Sequence, residues 1–530
     1  MLVKTEELNA SLLASLGEPQ VHQTYCGLDC CVTFEVLEAL QSLTGQTAHG
    51  NNRKDDHVDL LYGFERALQA PALDIMLRGF RIDEYERAKA IRHFRGETQR
   101  KERPQGELGT LLDQLDELAA AVWDKGLNPA SPKQLKEFFY ERMHLPEVKI
   151  REKGQSKVST NREALEKLEV YLHARPFVAL IEDYRDKKAL LNQLENEIDP
   201  DGRFRMSINI AGTETGRIST SKSATGTGGN GQNLKRDDDL EEGEYSIRRM
   251  FIADAGKKLG NIDLEQTESR DVGLLQGTIL GDWRYLNSCE QGDLHVTVAK
   301  LVWPELPWNG DPKHDRAIAD RPFYRHFSHR DMSKRGGHLT NYMGTAWTAA
   351  RKLKVPLRIM ENFQEKYIEV AFPAFQGWWR WTAQELQTKG YLVTPYGRKR
   401  IFFGRKDDPA TLREAVAFVP QSMTADRMNL GMWRVWKFMP EVQLLAQVHD
   451  SICFQYDEAA DENAIMRKAL KLIESPLVAP NGRTVTVRGE AKIGWNWGAF
   501  GPANADGIKK WDPRQLDTRR RSAQGKERLL

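Results

Sequence analysis

The sequence predicts an α+β chain whose β segments lie far apart, with long helical insertions between them. Two patterns carry this expectation. Residues 205–260 and 442–455 read as strands broken by turns, and residues 275–420 are mostly helical and dense in Arg, His and Trp. Composition supplies the third observation: 530 residues, 40% of them apolar, amount to roughly three or four domain-sized units with a sizeable core, which excludes wholesale disorder.

In chain order, Glu65 to Gly79 has helical apolar spacing and a terminal glycine. Helical patterning continues to about residue 200, broken at Asn128-Pro-Ala-Ser-Pro132, where Ser131 is a helix cap with Pro132 in the first turn. Residues 149–160 read as a loop carrying Lys149, Arg151, Lys153 and Lys157, suited either to duplex phosphates or to solvent. The β-rich stretch after residue 205 is interrupted by a Gly/Ser/Thr segment at Ser219–Gly231. Strands return at Gly390–Phe403 around a Tyr396-Gly397 turn, a helix covers 410–438, and a strand–turn–strand follows at 442–455.

The net charge of +2 does not mark a nucleic-acid partner, although residues 509–530 hold eight Lys or Arg against Asp512, Asp517 and Glu527. That tail reads equally as a grip on duplex phosphates and as a solvated end. No run of 18 apolar residues occurs and the first residues lack an apolar signal region, so a cytoplasmic protein with no membrane partner is expected. The five cysteines (26, 30, 31, 289 and 453) form no even framework; Cys26, Cys30 and Cys31 read as buried free thiols rather than metal ligands.

Chemistry concentrates in three segments. Asp263 stands in Asn261-Ile-Asp-Leu-Glu-Gln-Thr-Glu-Ser-Arg270 at the end of a hydrophobic run, and Asp450 in Gln447-Val-His-Asp-Ser-Ile-Cys-Phe-Gln455 at a hairpin turn. Between them Arg330, Lys334, His338 and Tyr342 recur every four residues, so successive members rotate only about 40° and line a helical groove roughly 18 Å long. Alone, the ladder is as readily an exposed basic face. Two carboxylates at strand ends with a cationic face between them suit divalent cations and a triphosphate. Gly336-Gly337 inside the ladder costs about 1 kcal/mol per glycine relative to alanine, and signals either a close approach or a broken helix.

These three segments, in this order, resemble the three motifs of A-family DNA polymerases, the family of bacterial DNA polymerase I and many phage replicases. The resemblance spans roughly residues 60–500. Thr215-Gly-Arg-Ile-Ser-Thr220 with Gln232-Asn233 is similar to the segment along the primer–template minor groove, Asp293-Leu-His295 to the start of the fingers, and Arg413 through Pro420-Gln421 to Asp426 to a template-contacting helix. Membership implies a right-hand polymerase fold: a palm entry helix at 61–84, thumb at 85–200, palm at 201–275 and 421–500 and fingers at 276–420, with an exonuclease remnant at 1–60 and a basic tail at 501–530.

The resemblance implies a template-directed DNA polymerase acting on primer–template DNA and dNTPs. Asp263, Asp450 and the Leu264 carbonyl would hold two Mg²⁺ ions. Arg330, Lys334 and His295 would contact the triphosphate, with Lys334 donating a proton to the leaving pyrophosphate. Glu268 and Tyr342 would exclude a ribose 2′-hydroxyl, and His338 would pack on the sugar. Arg217, Gln232, Asn233, Gln421 and His449 would contact the minor groove near the primer end, and Arg413 the template. The chain departs from the family at Ser451, where a third carboxylate is common, at His338, where Phe or Tyr is usual, and in the long Arg217–Gln232 interval. The compact chain and Lys334-Arg-Gly-Gly-His338 resemble phage members.

Tyr25-Cys-Gly-Leu-Asp29 has the Tyr-x-x-x-Asp spacing of the last 3′–5′ exonuclease motif, yet no aspartate precedes it, so polymerisation without intrinsic proofreading is expected. A separately encoded exonuclease docking at residues 1–60, or a processivity subunit, is a further partner left open. Two other readings remain: a single-subunit RNA polymerase and a non-catalytic polymerase-like binding protein. Glu268 and the minor-groove set weigh against the first; retention of both aspartates with Arg330 and Lys334 weighs against the second.

Overall fold

The computed structural model describes residues 27, 31–36, 56–152, 155–237, 245–324 and 327–513. Tyr25, Cys26, Asp29, Cys30, Lys153 and the tail from Arg514 lie outside the described residues, as does most of the segment read as an exonuclease remnant. The chain divides into two compact units, residues 1–66 with 393–399 and residues 67–392 with 400–530. In the first, Arg398 pairs with Glu65 at 2.7 Å. Its residues 31–36 are helical and exposed, so Cys31 is exposed rather than buried: a helix open on all six residues gives the thiol no apolar cover.

The second unit is organised by a nine-stranded sheet, counted among the described residues. Its strands are β1 (Phe80–Ile82), β2 (Arg203–Phe204), β3 (Phe251–Ile252), β4 (Lys257–Leu264), β5 (Val442–Val448), β6 (Ser451–Asp457), β7 (Gly489–Gly494), β8 (Asn496–Ala499) and β9 (Gly507–Lys510). Their spatial order is β5-β6-β4-β7-β9-β8-β3-β1-β2, antiparallel throughout except the β8–β9 pair. Four helices bear on the site: α1 (Thr267–Leu280), α2 (Leu294–Val302), α3 (His329–Asn341) and α4 (Pro409–Phe438). The expected helix at 410–438 and strand–turn–strand at 442–455 coincide with α4, β5 and β6 to within two residues.

Burial explains why distant strands meet. Phe80 from β1, Phe251 from β3 and Trp497 from β8 are each at most 2% exposed. Their rings lie 5.2–5.8 Å apart, and the Arg248 guanidinium sits 4.3 Å over Trp497. Aromatic side chains this buried contribute on the order of 2–3 kcal/mol each. Residues 115–181 gather a separate helical core around Trp123, Phe138, Phe139, Leu165 and Ile181. Ser131 caps its helix as expected, accepting from the Gln134 backbone at 3.4 Å.

Two expectations are corrected and one open alternative is decided. The basic segment at 149–160 is a hairpin, not a loop: Lys149–Glu152 pairs with Gln155–Val158, because pairing satisfies the backbone groups a loop would leave to water. The Gly/Ser/Thr interruption begins with a strand, Ser219–Lys222, pairing with Met206–Asn209, and Thr220 Oγ1 donates to Asn230 Oδ1 at 2.6 Å. Finally, Gly336 and Gly337 lie inside an unbroken α3. A Cβ on Gly336 would stand 3.0 Å from the Phe363 ring, and one on Gly337 3.4 Å from that of Tyr367. Close aromatic packing, not a break, explains the glycines.

Candidate active site

Strand register assembles the acidic centre. On β4, Asp263 stands opposite Ser451 of β6 on one side and Glu490 of β7 on the other. Asp450 sits in the two-residue turn between β5 and β6, beside His449, whose φ is +52°. The Leu264 N–H donates to the Asp450 carbonyl at 3.0 Å, binding the turn to the end of β4. Both aspartates and Leu264 line one cavity of about 910 Å³.

The electrostatics of this pair are those of confined negative charge. Burial, then the charges of Glu268 and Asp263, push the Asp450 carboxyl up to about 6. Burial also raises Asp263, opposed by Arg236 and Lys492. Arg236 pairs with Asp263 at 2.9 Å. A divalent cation would relieve the mutual repulsion of these two groups, and on this ground the donor set of two carboxylates and the Leu264 carbonyl fits one. Among the described residues no cluster of three or more His, Cys, Asp or Glu side chains forms a metal cage. Ser451 is not part of the cavity wall, and its hydroxyl donates back to the Val448 carbonyl at 2.9 Å.

Helix α3 brings Lys334 and His338 to the same cavity, together with His295 from α2. The ladder bends at its last member: the helix ends at Asn341 and Tyr342 is the C-cap, at φ −100°. The Tyr342 hydroxyl donates to Glu268 Oε2 at 2.8 Å, and Arg217 pairs with the other Glu268 oxygen. Burial and then the Glu268 charge hold the pKa of the Tyr342 hydroxyl well above its usual value, so it stays protonated and a donor. Arg330 is tied by Nε to Asp293 at 2.8 Å.

Of the residues predicted for DNA contact, Arg217, Gln232, Gln421 and His449 line the cavity, while Asn233 and Arg413 are exposed outside its wall. Gln232 clamps the turn: its amide donates to the Gln447 carbonyl at 2.8 Å, and its oxygen accepts from the His449 N–H at 3.1 Å. Arg236, Glu490 and Lys492 were not found by sequence reasoning, and Asp293 was named only within its motif, without a role. Arg236 lies three residues after Asn233 and Glu490 two before Lys492, but no spacing rule connects either to Asp263; strand register brings Glu490 there and an ion pair brings Arg236.

His295 carries a pH prediction. Burial first, then Arg330, Lys334 and His338, pull its imidazole down to about 4, against the opposing pull of Asp293. An unfolded histidine titrates near 6.5, so between about 6.5 and 4 the unfolded chain binds the proton and the folded chain does not. The contribution to stability is intact above about pH 6.5 and is lost as pH falls towards 4. From pH 7 to pH 5 the wild type is expected to lose about 2 kcal/mol more than His295→Gln in urea unfolding. Equal losses would refute a neutral, buried His295.

A family model described as DNA polymerase family A matches residues 98–499. Relatives include DNA polymerase I, thermostable, of Thermus aquaticus, 29% identical over 70% of this chain and 42% of its own length. The DNA polymerase I of Helicobacter pylori is 26% identical over 75% of this chain and 40% of its own. That of Chloroflexus aurantiacus is 25% identical over 92% and 48%. The chain thus spans less than half the length of these curated relatives. Among solved structures, the POL domain of Pol1 from M. smegmatis, in complex with DNA primer-template and dNTP, shares the fold at a TM-score of 0.60 and 22% identity, covering 82% of this chain and 69% of that one.

Proposed function

The chain belongs to DNA polymerase family A, and from that premise we propose that it is a template-directed DNA polymerase that adds deoxynucleotides to a primer 3′ end. Its fold is the right-hand polymerase fold. One observation carries the reading: two aspartates far apart in sequence meet at one end of β4, with Asp450 bonded through its carbonyl to Leu264 at 3.0 Å. Asp263, Asp450 and the Leu264 carbonyl would hold two Mg²⁺ ions, which when bound stabilise charge on the attacking and leaving oxygens.

The chain's own side chains account for the rest of the chemistry. Lys334, exposed and one turn from His338, is the donor to the leaving pyrophosphate, and its ammonium opposes the charge developing there. Arg330 and neutral His295 complete the polyphosphate contacts. Gln232, Gln421, Arg217 and His449 face the terminal base pair, where minor-groove acceptors are alike in every pair, so pair geometry is checked without reading sequence. Asn233 and Arg413 contact strands further out. Residues 85–200 act as thumb and 276–420 as fingers, and the separate core within 115–181 supports the first of these. Replication of phage DNA is the setting that the Lys334–His338 variant favours.

Sugar selection rests on Glu268, held between Tyr342 and Arg217 where a 2′-hydroxyl would enter. Glu268→Ala is expected to raise ribonucleotide incorporation relative to deoxynucleotide by at least about tenfold in paired single-nucleotide assays. Unchanged discrimination would refute the role. The function as a whole is tested by primer extension with Mg²⁺ and either dNTPs or rNTPs. Templated extension with dNTPs supports the reading, preference for rNTPs replaces it with RNA synthesis, and primer–template binding without extension replaces it with a scaffold.

A further inference from the structure

Asp293 lies outside the cavity wall, yet it joins two of the groups assigned to polyphosphate binding. Its Oδ1 accepts from the backbone N–H of His295 at 2.9 Å and of Val296 at 3.4 Å, capping α2. Its Oδ2 accepts from Arg330 Nε at 2.8 Å, and from Arg316 at 3.0 Å. One carboxylate therefore binds the first turn of α2 to the first turn of α3.

What this leaves open points to a ligand. Arg330 uses Nε alone, so its terminal nitrogens, the pair that grips phosphate oxygens bidentately, have no partner among the described residues. The His295 Nδ1 is buried and also lacks a hydrogen-bond partner there. A buried ring nitrogen left unsatisfied is destabilising unless something binds it. Two arrangements of unspent donors on neighbouring helix turns, fixed by a single anion, suit a larger anion arriving from the cavity.

We propose that Asp293 is a positioning residue for nucleotide binding: it holds Arg330 by Nε and His295 by the helix cap, so that both are presented together to the polyphosphate. This rests on the reading of the cavity as a dNTP site. Asp293 touches no substrate atom; it acts by sparing Arg330 and His295 the cost of being ordered when the nucleotide binds.

Asparagine caps a helix as well as aspartate but carries no charge for Arg330. The full chain is therefore compared as wild type, Asp293→Asn and Arg330→Lys, the last keeping a cation without Nε or a fork. Calorimetric titration uses inorganic tripolyphosphate, and steady-state extension measures KM and kcat for dNTP. Asp293→Asn is expected to keep the wild-type urea midpoint, bind tripolyphosphate about tenfold more weakly, and raise KM about tenfold with kcat within about twofold, as loss of one charge-assisted bond implies. If Asp293→Asn does not fold, Asp293→Ser, which also caps a helix without a charge for Arg330, carries the test with the same expected loss, and Arg330→Lys serves as the control for loss of the contact itself. Unchanged tripolyphosphate affinity and KM, or a fall in kcat alone, would overturn the positioning role while leaving the dNTP site standing. A wild type that binds neither tripolyphosphate nor dNTP would overturn the site and this inference together.

Discussion

Asp263→Ala and Asp450→Ala are each expected to lower templated dNTP incorporation by at least about a thousandfold while leaving primer–template affinity nearly unchanged. The size follows from the chemistry. Groups that stabilise charge appearing only in the transition state typically account for a factor on the order of a hundred to a thousand each, and a carboxylate that holds a divalent cation forfeits that cation's contribution as well. Either side chain is replaceable without collapsing the sheet, since β4 keeps its pairing to β6 and β7 and the Leu264–Asp450 bond uses backbone atoms alone. Single-turnover extension beside equilibrium DNA binding separates the outcomes. Loss confined to one variant would leave a one-carboxylate site, and parallel loss of DNA binding would show damage to the fold.

The second large effect is on stability. Asp271 on α1 and Arg427 on α4 form an ion pair that is 1% and 0% exposed. Arg427 donates to both carboxylate oxygens at 2.9 and 3.0 Å, and Thr424 adds a third bond at 3.1 Å. Burial pushes the Asp271 carboxyl upward and the guanidinium holds it back, so the carboxylate depends on its partner. Arg427→Met leaves that group uncompensated in an apolar interior and is expected to cost about 3–5 kcal/mol in urea unfolding. Asp271→Leu combined with Arg427→Met is expected to recover most of the loss, because an apolar pair of similar volume owes no desolvation cost. The two helices also carry Glu268 and Gln421, so the single variant should loosen sugar discrimination as well. A loss below about 1 kcal/mol would refute the dependence.

How far the sequence could be read differs by element. Helix α4 and the β5–β6 hairpin were legible because thirty residues of helical patterning and two hydrophobic runs around a short turn are local signals. The Lys149–Val158 hairpin and the Ser219–Lys222 strand were not, because short polar strands carry little apolar alternation and are stabilised by their partner strands. The glycines of α3 were legible as an anomaly but not as a cause, since Phe363 and Tyr367 come from a later helical segment.

For the site, residue types and order alone pointed to the family and singled out the two aspartates, the Lys334–His338 face and Glu268 as candidates. Chemistry constrains these side chains so tightly that their spacing survives as a pattern within a single chain. Tertiary structure decided what each of them touches. Arg236 beside Asp263, Glu490 across from it, Arg217 and Tyr342 holding Glu268, and Asp293 holding Arg330 are all pairings over long sequence separations. Such contacts are set by strand register and helix packing, which no local sequence pattern reports. The identity of the candidate catalytic groups was therefore local information, while their charge states and partners were properties of the folded chain.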